Sequence, residues 1–214
     1  MMNKKIVFDL DGVIVDTEGQ WRKMWMDFLN SHGYVFTEDD YVGFAGGNWP
    51  IYFKLLSNKY PEFYPDCDTM MKDYYAHFKD YKIDFTKLAM PYVREVVIEL
   101  KKRGYTIAIA SSSPSRHIHE VLEMLEISSC FDFYVSGYDF KKSKPDPEIY
   151  LFTADKLKEK PQDLWVVEDS TYGIAAAVAA GMKVIALKDE RFDYDQSKAD
   201  YLVDDLRGIL EVVE

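Results

Sequence analysis

The most constraining feature of the sequence is an apolar run that ends in two acidic residues. Residues 6–8 are Ile, Val and Phe, and they are followed directly by Asp9, Leu10, Asp11 and Gly12. Such a run is typical of a buried strand, so both carboxylates are expected at its carboxyl end, where the glycine permits a sharp turn. Carboxylates removed from water need a cation or hydrogen-bond donors. The pattern predicts a nucleophile and a general acid/base that share a divalent cation, and a strand end with two solvated acids is the simpler alternative.

Length and composition narrow the classes of protein. The chain has 214 residues, 48% hydrophobic and 15% aromatic, which suffices for one large domain or for a domain with a smaller insert. The net charge of -11 disfavours nucleic acids and anionic membranes as partners, because both require basic surfaces. No run approaches the roughly 18 apolar residues of a membrane span. Cys67 and Cys130 have no paired spacing, so we expect reduced thiols in a cytoplasmic protein. We also expect a monomer or a weak dimer.

The second half of the chain alternates strand patterns with helix patterns. Apolar runs predict strands at 105–110, 131–135, 164–167, 184–187 and 201–203. Apolar residues spaced three and four apart predict helices at 92–102, 115–125, 147–157 and 171–180. This alternation predicts an α/β fold with a doubly wound parallel sheet and helices on both faces. Right-handed crossovers would bring the carboxyl ends of all strands to one edge, where sites in such sheets lie.

Residues 17–88 interrupt the alternation. This stretch has no clear strand pattern and is rich in aromatic residues, with helical stripes within 21–29, 51–56 and 70–78. The stripes predict the core of a small helical domain. We therefore expect a catalytic core of residues 1–16 and 89–214 with a helical insert at 17–88, and we expect Glu18 in a linker strand between them.

Two further polar motifs follow predicted strands. Ser111 and Ser112 close the strand at 105–110, where a hydroxyl and the N–H groups of a helix start can hold a phosphoryl oxygen, although serine is also an ordinary helix cap. Lys144 stands before Pro145 and near Pro147, and prolines stiffen the backbone that aims its ammonium. That charge could neutralise a nucleophile and a transferring phosphoryl group, and a solvated basic turn is the alternative.

A second acidic pair follows the strand at 164–167. Glu168 and Asp169 stand directly before the helix at 171–180. Acids can cap a helix, but two of them directly after a buried strand exceed what a cap requires. Carboxylates, waters and substrate oxygens are the ligands that Mg2+ prefers, so the pair is expected to complete a magnesium site.

In this order, the four motifs resemble those of the haloacid dehalogenase superfamily. The resemblance rests on Asp-x-Asp-Gly at Asp9, the strand-end Ser111, the Lys-Pro lysine Lys144 and the acidic pair that ends in Asp169. It covers the whole chain and implies a Rossmann-like core. The helical insert after the first motif is similar to the cap of the beta-phosphoglucomutase-like branch.

The resemblance also implies a role for each residue. Asp9 would be the nucleophile that forms an aspartyl-phosphate, and Asp11 the general acid/base. The phosphate-binding residues would be Ser111, Ser112 and Lys144. The Mg2+ site would consist of Asp9, Asp11 through its carbonyl oxygen, Asp169, and Glu168 as a further ligand or as a support. The cap would form the leaving-group pocket for a small phosphorylated metabolite such as a sugar phosphate, with Trp21, Asn48 and Tyr52 as candidates.

Three alternatives differ in activity. A beta-phosphoglucomutase would have a histidine and an arginine in the cap, where this chain has Trp21 and Asn48, and no arginine occurs between positions 22 and 94. The usual Pro-Gly at the end of the cap is also changed, to Pro91-Tyr92. These differences favour a Mg-dependent phosphatase over a mutase. A dehalogenase is disfavoured because it needs no metal, and a non-catalytic binding module because every catalytic residue is present.

The histidines offer no obvious metal site. His117 and His119 are two residues apart on a predicted helix, so they point to different sides and make a poor metal-binding pair.

Overall fold

The structure is a computed structural model that describes residues 4–41, 43–44 and 47–213. The first half of the chain forms β1 (Lys5–Phe8), α1 (Glu18–Ser31), α2 (Glu38–Tyr41), α3 (Trp49–Lys59) and α4 (Cys67–His77). The second half forms α5 (Val93–Lys102), β2 (Thr106–Ser111), α6 (Ser115–Met124), β3 (Phe133–Ser136), α7 (Glu148–Leu157), β4 (Trp165–Glu168), α8 (Thr171–Ala179), β5 (Lys183–Leu187), β6 (Tyr201–Val203) and α9 (Arg207–Val212). Short 3-10 helices lie at Phe85–Lys87, Ser128–Cys130, Gly137–Asp139 and Pro161–Asp163. Within the described residues, no helix has both the length and the apolar character needed to cross a bilayer.

The six strands form a parallel sheet in the order β3-β2-β1-β4-β5-β6. In the central strands, Val7 of β1 is aligned with Ala108 of β2 and with Val166 of β4. All three side chains are fully buried, as expected for parallel strands covered on both faces. The strand order changes direction between β1 and β4, and ligands bind in such sheets at this point. The predicted doubly wound α/β fold is confirmed.

Helices α7 and α8 supply one apolar layer against the sheet. Tyr150 of α7 and Ala177 of α8 are buried in a cluster with Val7 and Val166. Helix α5 also packs on β2, and its residues Val97 and Leu100 are fully buried. The spacing of three and four residues that predicted these helices is therefore the spacing of the side chains that face the core.

The chain divides into two compact units, residues 1–16 with 84–214 and residues 17–83. Residues 84–88, which we assigned to the insert, belong by their contacts to the sheet unit. Phe85 is buried there, and its ring meets the ring of His117 edge-on at 5.0 Å. The predicted linker strand at Glu18 is wrong, because this residue begins α1 and its buried carboxylate accepts a hydrogen bond from the Tyr41 hydroxyl at 2.7 Å.

The helical unit has its own aromatic core. Trp25 and Phe28 of α1 are buried, and the ring of Tyr74 in α4 lies 4.7 Å from Trp25 and 5.2 Å from Phe28. Helix α4 is capped by Asp66, whose side chain accepts from the backbone N–H of residue 69 at 2.7 Å. The aromatic stripes of residues 17–83 thus form a hydrophobic core, which is the usual role of such stripes.

Candidate active site

The first acidic motif lies at the carboxyl end of β1. Asp9 is buried, and its backbone N–H donates to the carbonyl of Val167 at 2.9 Å, which continues the pairing of β1 with β4. Gly12 has a φ of +85°, which favours glycine. A Cβ at Gly12 would lie 2.0 Å from Oδ2 of Asp169. This glycine therefore allows both the turn and the close approach of the two acidic motifs.

Three buried carboxylates meet at this edge of the sheet. Asp9, Glu168 and Asp169 each offer an oxygen, and these atoms lie within 4.8 Å of one another. Two oxygens bound to one Mg2+ are at most about 4.2 Å apart, because each Mg–O distance is about 2.1 Å. Carboxylate chemistry and this spacing fit a magnesium ion bound by two or more of the three after a small adjustment.

Lys144 neutralises part of this acidic group. Its buried ammonium donates to Oδ1 of Asp9 at 2.7 Å, to Oε1 of Glu168 at 2.6 Å and to the carbonyl of Ala110 at 3.0 Å. Its Nζ also lies 4.9 Å from the centre of the Tyr150 ring. The single ammonium thus joins the ends of β1, β2 and β4. Its role beside a nucleophile stays a prediction.

Glu168 is surrounded by hydrogen-bond donors. Its Oε1 accepts from Lys144 and from the hydroxyl of Tyr150, both at 2.6 Å. Its Oε2 accepts from the backbone N–H of Asp169 at 3.2 Å and from the hydroxyl of Ser170 at 3.3 Å. A carboxylate has about four acceptor positions, so these four donors occupy them all. Although Glu168 is close enough to ligate a metal, its hydrogen bonds favour a role in orienting Lys144.

Burial controls the protonation of the pair. Desolvation raises the pKa of Asp9 to about 7, with a further rise from the charge of Glu168, and Lys144 opposes the shift. Burial lowers the pKa of Lys144, but the charges of Asp9 and Glu168 outweigh it, so this pKa lies well above its ordinary value. The lysine therefore stays charged. A divalent cation beside Asp9 would favour the ionised form of the Asp9 carboxylate.

The serines at the end of β2 lead into a hydrogen-bonded turn. The hydroxyl of the buried Ser111 accepts from the backbone N–H of Ser113 at 3.0 Å. Ser112 packs closely on the next loop, where a Cβ at Gly137 would lie 3.0 Å from its Cα. The turn leads into α6, so Ser111 and Ser112 stand between a strand end and a helix start. Their phosphate contacts stay a prediction.

The carboxylate of Asp11 is bound by side chains that follow β2. Ser113 Oγ donates to its Oδ2 at 2.6 Å, and Nε2 of His117 lies 3.2 Å from its Oδ1. Burial lowers the pKa of His117, but the charge and hydrogen bond of Asp11 outweigh it, so this pKa is raised. We missed His117 because we considered histidines as metal ligands alone. Its place in the first turn of α6, at the carboxyl edge of the sheet, was the available signal.

The candidate pocket residues of the insert lie in the helical unit. Asn48 caps α3 by accepting from the backbone N–H of Ile51 at 3.2 Å. Tyr52 donates from its hydroxyl to the carbonyl of Gly47 at 2.8 Å, and its ring stacks on Phe44 at 5.0 Å. Trp21 is half-buried on α1. Two of the three thus support the helical unit itself, and a substrate pocket formed by them stays a prediction.

A cavity of about 560 Å³ lies beside Gly12 in the sheet unit. Its wall carries Arg191, which donates to both oxygens of Asp16 and to Asp189, and Lys188, which pairs with Glu190 at 2.7 Å. These two basic side chains are therefore already paired with acids of the same wall.

Comparison with known proteins gives the class. Residues 6–187 match the haloacid dehalogenase-like hydrolase family, and the chain belongs to this family. The predicted family and its hydrolase enzyme class are confirmed.

Two curated relatives and one solved structure resemble the chain along most of its length. The phosphorylated carbohydrates phosphatase of Thermotoga maritima is 32% identical over 191 residues, which cover 84% of this chain and 82% of the relative. Hexitol phosphatase B of Escherichia coli is 29% identical, with 85% and 82% covered. The crystal structure of beta-phosphoglucomutase from Clostridium difficile superposes with a TM-score of 0.80 at 25% identity, with 99% of this chain and 97% of that chain covered.

Proposed function

We propose that this protein is a Mg2+-dependent phosphatase that hydrolyses small phosphorylated carbohydrates through an aspartyl-phosphate on Asp9. The observation that carries the proposal is the buried Asp9 at the end of β1, hydrogen-bonded to Lys144 at 2.7 Å beside the acids at the end of β4. Relatives named for phosphorylated carbohydrates and hexitols support the class of substrate.

In the first step, the ionised carboxylate of Asp9 attacks phosphorus while the bond from phosphorus to the leaving oxygen breaks. The Lys144 ammonium, hydrogen-bonded to Asp9 and Glu168, favours the ionised nucleophile. It also stabilises negative charge on the oxygens of the transferring group. Glu168 and Tyr150 hold the lysine in place for this purpose.

Asp11 moves the proton in both steps. In its protonated form it donates to the leaving oxygen, so that the product departs as an alcohol. The resulting carboxylate then accepts a proton from the water that attacks the phosphorus of the aspartyl-phosphate. That attack breaks the bond to Asp9, releases inorganic phosphate and restores both acids.

The chain would hold Mg2+ through the side chains of Asp9 and Asp169 and the carbonyl oxygen of Asp11. A bound Mg2+ ion supplies positive charge that stabilises the phosphoryl oxygens. The saturated hydrogen bonding of Glu168 is our reason for leaving it out of the ligand set.

A phosphoglucomutase is the second candidate, because the Clostridium difficile enzyme of that name shares the fold along nearly the whole chain. A mutase must transfer the phosphoryl group to a sugar hydroxyl before water reaches it. The basic residues that would orient the sugar are missing from the cap sequence, where Trp21 and Asn48 stand. A tryptophan offers a stacking surface and one donor but no charge.

One assay separates the candidates. The protein is incubated with beta-glucose 1-phosphate, a trace of the bisphosphate and Mg2+, and both glucose 6-phosphate and free phosphate are measured. Parallel reactions contain hexitol phosphates and an aryl phosphate. We expect phosphate release that requires Mg2+ and falls by several orders of magnitude in Asp9→Asn, whose amide cannot attack phosphorus.

Efficient formation of glucose 6-phosphate with little free phosphate would identify the protein as a mutase rather than a phosphatase. Retention of more than about a tenth of the activity in Asp9→Asn, a change under about 1.4 kcal/mol, would refute the nucleophile assignment. If no phosphate is turned over, the non-catalytic binding module is the remaining candidate.

A further inference from the structure

We propose that Ser113 and His117 form a two-point clamp that positions the carboxylate of Asp11 for proton transfer. The inference rests on the proposed phosphatase function, in which Asp11 is the general acid/base. The clamp consists of the hydroxyl of Ser113, 2.6 Å from Oδ2, and Nε2 of His117, 3.2 Å from Oδ1. Each carboxylate oxygen therefore has its own contact.

The two contacts together fix more than either does alone. A single hydrogen bond leaves the carboxylate able to turn about its Cβ–Cγ bond, whereas contacts to both oxygens define its plane. A general acid must come within about 2.6–3.2 Å of the atom that it protonates. A misplacement of about 1 Å can cost roughly 10²-fold in rate. The orientation of Asp11 is therefore a property on which the reaction depends.

The clamp residues are themselves held in place. The backbone N–H of Ser113 donates to Ser111 Oγ at 3.0 Å, and its carbonyl accepts from the hydroxyl of Ser136 at 2.7 Å. The imidazole of His117 is 12% exposed, and the ring of Phe85 packs against it. Both residues thus present their polar atoms from hydrogen-bonded and packed positions in the sheet unit.

The clamp also separates two acids that are close in sequence. Among the described residues, the candidate metal group comprises Asp9 with Glu168 and Asp169, which lie at the end of β4. The Asp11 carboxylate is instead bound by residues that follow β2, on the other side of β1. Asp9 and Asp11 therefore face different partners, as a nucleophile and a proton carrier require.

The test compares two leaving groups. A sugar phosphate leaves as a poor alkoxide and needs a proton from Asp11, whereas p-nitrophenyl phosphate leaves as a stable phenolate that needs little help. The ratio kcat/KM reports the steps up to the first irreversible one, here phosphoryl transfer to Asp9. We expect His117→Leu to lower kcat/KM by about 10²-fold on the sugar phosphate and by less than about threefold on p-nitrophenyl phosphate.

The second readout is the pre-steady-state time course with p-nitrophenyl phosphate. Hydrolysis of the aspartyl-phosphate needs Asp11 as a base whatever the leaving group was. In His117→Leu we therefore expect a burst of p-nitrophenolate followed by slow turnover. His117→Gln, which keeps a donor near the position of Nε2, should recover most of the activity, and Ser113→Ala should repeat the selective loss.

The matched control is His119→Leu, which changes an exposed histidine on the same helix and should behave as the wild type. Equal losses on both substrates in His117→Leu, or an unchanged or higher kcat/KM on the sugar phosphate, would overturn the clamp. If His117→Leu does not fold, Ser113→Ala decides by the same ratio. An inactive wild type or an active Asp9→Asn would instead refute the proposed function, so the two failures are distinct.

Discussion

At the residue scale, Asp9 shows how burial and neighbouring charges act on a single carboxylate. One ammonium, that of Lys144, serves the carboxylates of both Asp9 and Glu168, and Asp169 adds a further acid to the same group. Burial raises the pKa of Asp9 to about 7, the charge of Glu168 adds to the rise, and Lys144 opposes it. An unfavourable buried charge of this kind is stabilised when a divalent cation binds.

Asp9→Asn should make the metal-free protein more stable, and the gain should grow with pH. The folded pKa of Asp9, about 7, lies above its unfolded value of 3.8, so the folded state binds the proton more tightly. Stability is therefore lost as the pH rises from about 4 to 7 and stays lost above it. Asparagine is neutral throughout and avoids this loss.

The measurement is Tm in the presence of a chelator at pH 5 and at pH 8. One pKa unit corresponds to about 1.4 kcal/mol, so the Tm difference between Asp9→Asn and the wild type should widen by several degrees. The control is Asp193→Asn at an exposed position, whose Tm difference from the wild type should stay constant. A constant difference for Asp9→Asn as well would contradict the raised pKa.

The sequence allowed the positions of Asp9, Lys144 and Asp169 to be predicted, because each follows a strand or lies in a stiffened turn at one edge of the sheet. The role of Glu168 could not be predicted in the same way. It depends on donors such as Tyr150, which stands in a helix whose apolar pattern indicates a core residue. The contact of His117 with Asp11 likewise depends on the tertiary structure, since 106 residues separate the two.

At the scale of elements, the start of α8 is shaped around Glu168. Ser170 caps the helix, and its hydroxyl accepts from the backbone N–H of Gly173 at 3.1 Å. A Cβ at Gly173 would lie 2.0 Å from the carboxyl carbon of Glu168. The absence of a side chain at this position therefore leaves room for the carboxylate that holds Lys144.

Gly173→Ala should destabilise the protein and reduce its activity. Alanine is the better helix former by about 1 kcal/mol, so propensity alone predicts the opposite. The new methyl group would displace Glu168 and break its buried hydrogen bonds, which we expect to cost about 2–4 kcal/mol in free energy of unfolding. Denaturant unfolding and phosphatase assays check both effects.

The matched control is Gly19→Ala near the start of α1, where a new Cβ would meet no described atom within 4 Å. This substitution should leave stability unchanged or raise it by less than about 1 kcal/mol. A Gly173→Ala protein that is as stable and active as Gly19→Ala would show that Glu168 can move without consequence.

Elements with a regular apolar pattern were predictable, and elements without one were not. Helix α5 and strand β6 differ from their predicted bounds by at most one residue, because their apolar patterns are regular. Helix α9 was missed, since it has six residues and buries mainly Ile209.

Tyr92 stands where the family pattern has a glycine, and its φ is +66°. The Arg207 guanidinium lies 3.8 Å from the centre of the Tyr92 ring. That contact offsets part of the cost of the left-handed conformation.

At the scale of the molecule, the candidate catalytic, phosphate and metal residues all lie in the sheet unit, within residues 1–16 and 84–214. All residues proposed to carry out the reaction therefore belong to one compact unit. The role of the helical insert in selecting the leaving group stays a prediction. Cys67 and Cys130 are free thiols, as expected. The monomeric or weakly dimeric state and the cytoplasmic location stay predictions.

Mg2+ should stabilise the whole protein against unfolding, because the carboxylates proposed to bind it come together in the native state alone. Asp9 and Asp169 are far apart along the chain and meet through the pairing of β1 with β4. An ion that binds the native state adds about 2.7 kcal/mol at a concentration of 100 times its Kd. For a chain of this length, that corresponds to a rise in Tm of roughly 5–10 °C.

The measurement is Tm as a function of Mg2+ concentration, with reversal by a chelator. Asp169→Asn removes a ligand charge and should abolish most of the rise, whereas the exposed Asp193→Asn should keep it. Glu168→Gln tests the assignment of that residue. Its amide keeps one acceptor oxygen and the shape of the side chain, so Mg2+ should still raise Tm while activity falls through a misplaced Lys144. An undiminished rise in Asp169→Asn would place the ion elsewhere, and a rise abolished by Glu168→Gln would make Glu168 a direct ligand.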